Sequence, residues 1–266
     1  MEYCFSDIPN VLSDIFDSHA HFDDERFNND REELFKALNT TQGVVGIINC
    51  GSDYNSSVIS LELAQKHDFV YAAVGYHPEY VSTATPDLKA LEELLKTGGA
   101  VAVGEIGLDY YWNPEEAEKQ KHYFREQIAL SFKYNLPVIV HDRDAHADTL
   151  EILKEMKPKG VLHCFSGSVE TAKEIIELGM YIGIGGVLTF KNAKKLPDVV
   201  KEIPIDRILL ETDAPYMAPE PFRGKTNHSG LIYYVAKRVA EIKNLTVEEV
   251  LRITKQNTEN LFLGSN

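Results

Sequence analysis

The sequence predicts an α/β protein, a (β/α)8 TIM barrel, and three observations carry that prediction. Eight short apolar runs alternate with helical patterns along nearly all of the 266 residues. Most of these runs are apolar throughout rather than at every second position, as parallel strands buried on both faces require. Ionisable residues recur at the downstream ends of the runs, and in this fold those ends share one face. A doubly wound open sheet is the alternative, but the chain lacks the glycine-rich phosphate loop that such sheets use. No linker or low-complexity stretch divides the chain, so residues 1–266 read as a single barrel domain of ordinary size.

In chain order the expected strands are Ile15–His19, Val44–Asn49, Val70–Gly75, Ala100–Glu105, Pro137–His141, Gly160–His163, Met180–Ile184 and Arg207–Glu211. Their Val, Ile and aromatic content suits a pleated, buried surface. Helical patterns lie between them at Arg31–Asn39, Ser56–Lys66, Pro86–Lys96, Glu115–Tyr134, Ala145–Met156, Ser168–Leu178 and Ala193–Glu202. Two more, Ser229–Ile242 and Thr246–Leu263, follow the last strand. Thr85 before Pro86 reads as an N-cap with proline at the first helical position. Thr246-Val-Glu-Glu249 fits a capping box, and Gly179 after Glu177-Leu178 reads as a helix C-cap.

Composition narrows the function. No apolar stretch nears the roughly 20 residues of a membrane span, and the opening MEYCFSDIPN lacks the basic and apolar regions of a signal peptide. Cys4, Cys50 and Cys164 are odd in number and widely spaced, which favours a reducing compartment, the cytoplasm. A net charge of −14 argues against a broad surface that coats nucleic acid. It leaves room for an enzyme that holds strand ends, since two divalent cations add about four positive charges to a cleft.

The polar strand ends form a pattern. His19 and His21 close the first run, and their spacing of two sets them on one side of a strand. His77 follows the third run, and Glu105 ends the fourth. His141 and His163 end the fifth and sixth, and Asp213 follows the eighth. A His-x-His pair alone is weak, and a single strand-end histidine is usually structural. Ionisable groups at the ends of six strands on one barrel face are expected to form a metal centre, most simply one of two ions.

In its ordered motifs the chain resembles the TatD-like metal-dependent hydrolases, within the amidohydrolase-type barrels. The motifs are Asp17-Ser-His-Ala-His21, Gly75-Tyr-His-Pro78, Gly104-Glu-Ile-Gly-Leu-Asp-Tyr-Tyr111, His141-Asp-Arg-Asp-Ala145, His163-Cys-Phe-Ser-Gly167 and Glu211-Thr-Asp-Ala-Pro-Tyr216. The resemblance implies that His19 and His21 hold one metal ion, that Glu105 bridges to a second, and that His141 and His163 complete the second site. It makes Asp213 a ligand that also orients the attacking water or takes its proton. Two ions can clamp both oxygens of a phosphoryl displacement and acidify water, so no Ser or Cys nucleophile is needed. The absence of a lysine at the end of the fourth strand favours this branch over barrels bridged by a carboxylated lysine. Imidazole ligands suit Zn²⁺, Mn²⁺ or Ni²⁺, while carboxylates and phosphate substrates suit Mg²⁺ or Mn²⁺.

His77 and Arg143 are the candidate substrate contacts. Arg143 can fork onto a phosphate, or pair with Asp142, Asp144 or another acid. Asp17 reads as an orienting partner of a ligand histidine or as a strand-end hydrogen-bonding group. Asp109 matches a family position, and GEIGLDYY reads equally as a glycine-fixed loop whose tyrosines cover the cleft. Cys164 is expected to be a small buried hydrophobe turned away from the metals. His67, His122 and His146 lie in helical stretches and read as surface or packing residues, with His146 close enough to Arg143 to reach the rim. Arg223-Gly-Lys225 can meet substrate phosphates. After it stands His228-Ser229-Gly230 where the family has an acidic residue and proline, a departure that bears on the substrate rim.

The expected activity is metal-dependent phosphodiester hydrolysis, a deoxyribonuclease that trims DNA ends or short single strands, with no membrane partner. The sequence fixes no oligomeric state, and a monomer suffices. An ester or amide hydrolase on the same centre, such as a D-aminoacyl-tRNA deacylase, is the alternative activity. A barrel that binds a partner without turnover is the rival from another class.

Overall fold

Eight strands form one sheet in sequence order: β1 (Ile15–Ala20), β2 (Val44–Cys50), β3 (Val70–Val74), β4 (Ala100–Asp109), β5 (Val138–Arg143), β6 (Gly160–Leu162), β7 (Tyr181–Ile184) and β8 (Ile208–Leu210). The computed structural model that shows them describes residues 13–264. Every neighbouring pair is parallel. The ring closes between β1 and the segment after β8, where Ala20 bridges Ala214 and the His19 carbonyl accepts from the Asp213 N–H at 2.9 Å. The expected (β/α)8 barrel is therefore present.

The helices are α1 (Arg31–Thr40), α2 (Tyr54–Lys66), α3 (Pro78–Thr83), α4 (Leu88–Lys96), α5 (Ala117–Tyr134), α6 (His146–Met156), α7 (Val169–Glu177), α8 (Leu196–Glu202), α9 (Ile232–Lys243) and α10 (Val247–Phe262). The capping box of α10 forms as expected, Thr246 accepting from the Glu249 N–H and Glu249 from the Thr246 N–H. After α7, Gly179 takes φ +84°; its N–H meets the Ile176 carbonyl and that of Met180 meets Ile175, which closes a Schellman turn. One local expectation fails. Asp87, not Thr85, caps α4, because its carboxylate reaches the N–H groups of Lys89 and Ala90. The Gly-x-His-Pro segment starts the short helix α3, with Pro78 at the first helical position and His77 as its cap.

The barrel interior and its outer layer have separate cores. Phe16, Ile48, Ala73, Ile139, Val161 and Leu209 pack with one another and with Phe262 of α10. They alternate along the strands with residues packed under the helices, such as Ile15, Ile47, Ala72, Val138 and Ile208, so they face inward.

β4 departs most from expectation. It does not stop at Glu105 but runs on to Asp109, pairing Leu108 with Asp142 and Asp109 with Arg143, so GEIGLD is strand and not loop. Between Val103 and Ile106 its register against β5 shifts by one residue, and Glu105 lies in that irregularity. Bulges of this kind re-aim a side chain. Gly107 has φ +144°, and a Cβ there would stand 2.0 Å from the His141 carbonyl oxygen, so only glycine lets β4 approach β5 this closely.

Among the described residues no helix is long and apolar enough to cross a membrane. Cys50 and Cys164 are free thiols, and Cys4 and the opening MEYCFSDIPN lie outside the described residues.

Candidate metal centre

The upper end of the interior is built from titratable groups instead of hydrocarbon. His19 is fully buried at the end of β1 and His21 follows the strand. Their Nε2 atoms stand 3.0 Å apart. Glu105 brings Oε2 to 3.3 and 3.4 Å from these nitrogens, and Asp213 brings Oδ1 to 3.7 and 3.5 Å. These separations suit corners of one coordination shell, since ligand bonds of about 2.0–2.2 Å at tetrahedral angles put donors about 3.4 Å apart. The His21 Nδ1 lies 2.8 Å from the Cys50 carbonyl oxygen. That oxygen can only accept, so Nδ1 carries the proton and Nε2 turns its lone pair into the cluster. The His19 Nδ1 is 3.3 Å from the Cys50 sulfur.

The other carboxylate oxygen of Glu105 faces a second set. Its Oε1 lies 2.7 Å from His163 Nε2, 2.9 Å from His141 Nδ1 and 3.4 Å from His77 Nε2. The His141 Nε2 is 3.0 Å from Asp109 Oδ2, and the other oxygen of Asp109 is fixed by the N–H groups of Tyr111 and Trp112. Asp109 therefore orients His141 with its Nδ1 inward. The His163 Nδ1 lies 3.9 Å from Glu211, whose carboxylate fills the space that a side chain at Gly183 would need.

Burial and mutual charge set the protonation of these groups. Burial works against ionised Glu105, yet the imidazoles of His163, His77 and His19 hold it well below the usual carboxylate range. His141 is also opposed by burial, and Asp109 and Glu105 raise it to about 10. Burial and the neighbouring His163 depress His19 to about 4. Glu211, buried away from water, is pushed up to about 8. Ring nitrogens and carboxylate oxygens converge here, from 2.7 Å between His163 and Glu105 to 3.7 Å between His19 and Asp213. Nitrogen and oxygen donors in this arrangement fit divalent metal ions.

The centre opens into a cavity of about 620 Å³. His77 lines it while also standing at the second donor set. Arg143 lines it too, its guanidinium 3.8 Å from the ring centre of Tyr111 and 5.6 Å from that of Trp112, and among the described residues it forms no ion pair. Stacking on the two rings leaves its donors free.

Several neighbours stand elsewhere than expected. Cys164 is half-buried and lines the cavity, because β6 stops at Leu162 and Cys164 turns with φ +45°. Of its two readings Asp17 takes the strand-end hydrogen-bonding one and does not touch the His19 ring. It accepts from the Thr212 N–H and hydroxyl and from the Ser229 hydroxyl, tying β1 to the segments beyond β8. His228, Ser229 and Gly230 are buried beside β1, so that departure falls in the core and not on the substrate rim. As expected of surface or packing residues, His67 packs edge-on against Phe35 and His122 lies against Tyr123, while His146 bonds Asp142. No local pattern marks two neighbours of the candidate ligands: Cys50, whose sulfur stands beside His19 31 residues away, and Glu211, which accepts from the Cys164 N–H 47 residues away.

Residues 16–263 match the model of a family described as TatD related DNase. The chain is 43% identical over 252 residues to the uncharacterized metal-dependent hydrolase YabD of Bacillus subtilis, covering 93% of this chain and 98% of that protein. It is 38% identical over 255 residues to the uncharacterized metal-dependent hydrolase YcfH of Escherichia coli, covering 93% and 95%. The crystal structure of YjjV, a TatD homologue from Escherichia coli, superposes with a TM-score of 0.88 at 33% identity over 94% of this chain and 98% of that one.

Proposed function

This chain belongs to the family of TatD-related DNases and is a metal-dependent hydrolase, and on that premise we propose that it cleaves phosphodiester bonds at the ends of DNA strands. The observation that carries the reading is the placement of Glu105, which turns one carboxylate oxygen toward each of two donor sets. His19, His21, Glu105 and Asp213 would hold one ion, and Glu105, His141 and His163 the other. Such ions supply positive charge beside a phosphoryl group and acidify water. The nitrogen-rich sets favour Zn²⁺, Mn²⁺ or Ni²⁺, and Mg²⁺ serves where phosphate oxygens complete the shell.

The remaining steps belong to the protein. Although burial opposes it, the neighbouring His21 and His19 imidazoles hold Asp213 below the usual carboxylate range, so it is ionised at neutral pH. It can therefore accept the proton of the attacking water. Arg143, held flat against Tyr111, offers a fork to a non-bridging phosphate oxygen. His77 presents its ring on the cavity side of Glu105 and contacts the leaving group or phosphate. The whole chain acts as one barrel, and its free Cys50 and Cys164 thiols accord with a cytoplasmic setting.

The test is product analysis. Metal-stripped protein is given end-labelled single-stranded DNA with Mg²⁺, Mn²⁺ or Zn²⁺, beside a Glu105→Ala control. The expected result is a ladder that shortens from one end and is absent in the control. Stoichiometric metal binding without cleavage under any metal would overturn the DNase reading and direct the search to ester and amide substrates.

A further inference from the structure

The mouth of the cavity is electrically divided. On the side built after β1 and β3 it is lined by Asp23, Asp24 and Glu79. The one arginine paired there, Arg26, is bound to Asp24 at 3.0 Å. The opposite side is built by the end of β5 and the segments after β5, β7 and β8. It carries Arg143, Lys191, Lys194, Lys195, Arg223 and Lys225, all exposed, and among the described residues none forms an ion pair. Asp142, Asp144, Asp213 and Glu220 are the exposed or half-buried acids that accompany them; Asp142 is bonded to His146, and Asp213 belongs to the metal centre. In a chain of net charge −14, a continuous group of unpaired cations beside one cavity is unexpected.

These cations form one surface. Arg223 lies 4.4 Å over the Phe190 ring, and the Glu220 N–H bonds the Thr189 hydroxyl, which joins the segment after β8 to that after β7. A Cβ at Gly186 would stand 2.0 Å from the Met217 carbonyl oxygen, so the two segments meet backbone to backbone. Lys195 directly precedes Leu196, which lines the cavity with Arg143 and Val187. The Asp142 carboxylate raises His146, and Lys195 opposes that shift, so the lysine stands within electrostatic reach of the segment after β5.

We propose that this cationic side is the track by which a single-stranded polynucleotide leaves the cavity: the phosphates beyond the scissile bond run over Arg143 and Lys195 toward Lys191, Lys194, Arg223 and Lys225. The acidic side repels the same backbone, so the terminal nucleotide alone faces Asp23, Asp24 and Glu79. The inference rests on the phosphodiesterase reading above and adds to it the direction of the strand and the residues that hold it. Phosphate contacts made by lysine and arginine release counterions, so affinity should fall with salt in proportion to the number of such contacts. Substrates too short to reach the track should not sense it.

The test is the combined variant K191E/K194E/K195E. Its positions are exposed and outside strands, and an acid before α8 suits the helix dipole. With Mn²⁺ supplied, KM is measured for a DNA dinucleotide and a DNA 12-mer, and binding is measured by anisotropy with a phosphorothioate 12-mer across salt concentrations. The expected result is a tenfold or greater rise in KM for the 12-mer and less than twofold for the dinucleotide. The salt slope of binding should also fall by about 2, at roughly 0.7 per lost single-strand phosphate contact. Unchanged KM and salt slope for the 12-mer would overturn the track and leave the phosphodiesterase reading intact. If the wild type binds the 12-mer but cleaves neither substrate, the hydrolytic reading fails, and weakened binding by the variant still supports the track.

Discussion

The two ends of the barrel interior are made from the same strands and do opposite work. On β5, Ile139 faces inward in the lower half and packs against Val161 and Leu209; His141, two residues on, faces the same interior and meets Glu105. On β1 the lower position is Phe16 and the upper one is His19. The lower half gains stability by removing hydrocarbon from water. The upper half buries imidazole and carboxylate, which cost stability unless charge or metal compensates them. The strand lattice is indifferent to what it carries inward, so stability can be concentrated at one end and reactivity at the other.

That division can be broken from either side. Removing charge at the upper end by Glu105→Gln should lower kcat at least a thousandfold, about 4 kcal/mol of barrel-bound catalysis. The metal-free variant should still unfold within about 4 °C of the wild type, read by calorimetry. A large loss of stability in the metal-free variant would mean that the upper cluster is structural. Truncation at the lower end by Leu209→Ala should cost about 2–5 kcal/mol of stability. Denaturant unfolding would report that loss, while kcat should change less than twofold; a collapse of activity would show that the two ends are coupled.

Smaller effects sharpen the boundary between them. Asp109→Asn keeps a hydrogen-bonding group beside His141 but removes the charge that orients it, so metal affinity should fall about 10–100-fold. A competition titration measures this, and unchanged affinity would assign Asp109 to the Tyr111–Trp112 turn alone. His228 belongs to neither end. Burial depresses it to about 3, below its unfolded value near 6.5. Its contribution to stability is therefore complete above pH 6.5 and is lost as pH falls toward 3, at up to about 1.4 kcal/mol per pH unit. His228→Gln should flatten that part of the stability–pH curve, and an unaltered slope between pH 6 and 4 would refute the assignment.

What the sequence determined by itself is the scaffold and the inventory of donors. A fully buried parallel strand must be apolar on both faces, so Val138-Ile-Val140 and Ile208-Leu-Leu210 announce themselves within a few residues. Strand order follows from alternation with helices, and the ends of parallel strands must share a face. For that reason His19, His21, Glu105, His141, His163 and Asp213 could be gathered before any coordinate was known. Local capping was legible only where side chain and backbone compete over three or four residues, as at Thr246, and it misled at Thr85, where a nearby aspartate caps better. Tertiary structure alone decided which atoms meet. The register shift that lets Glu105 face two donor sets depends on how β4 lies against β5. The tautomer of His21 depends on a carbonyl 29 residues away, and the free fork of Arg143 on rings carried by the preceding strand's loop. Periodicity is written in neighbouring residues, whereas these contacts arise only when eight strands close into a ring and bring distant residues to the same few ångströms.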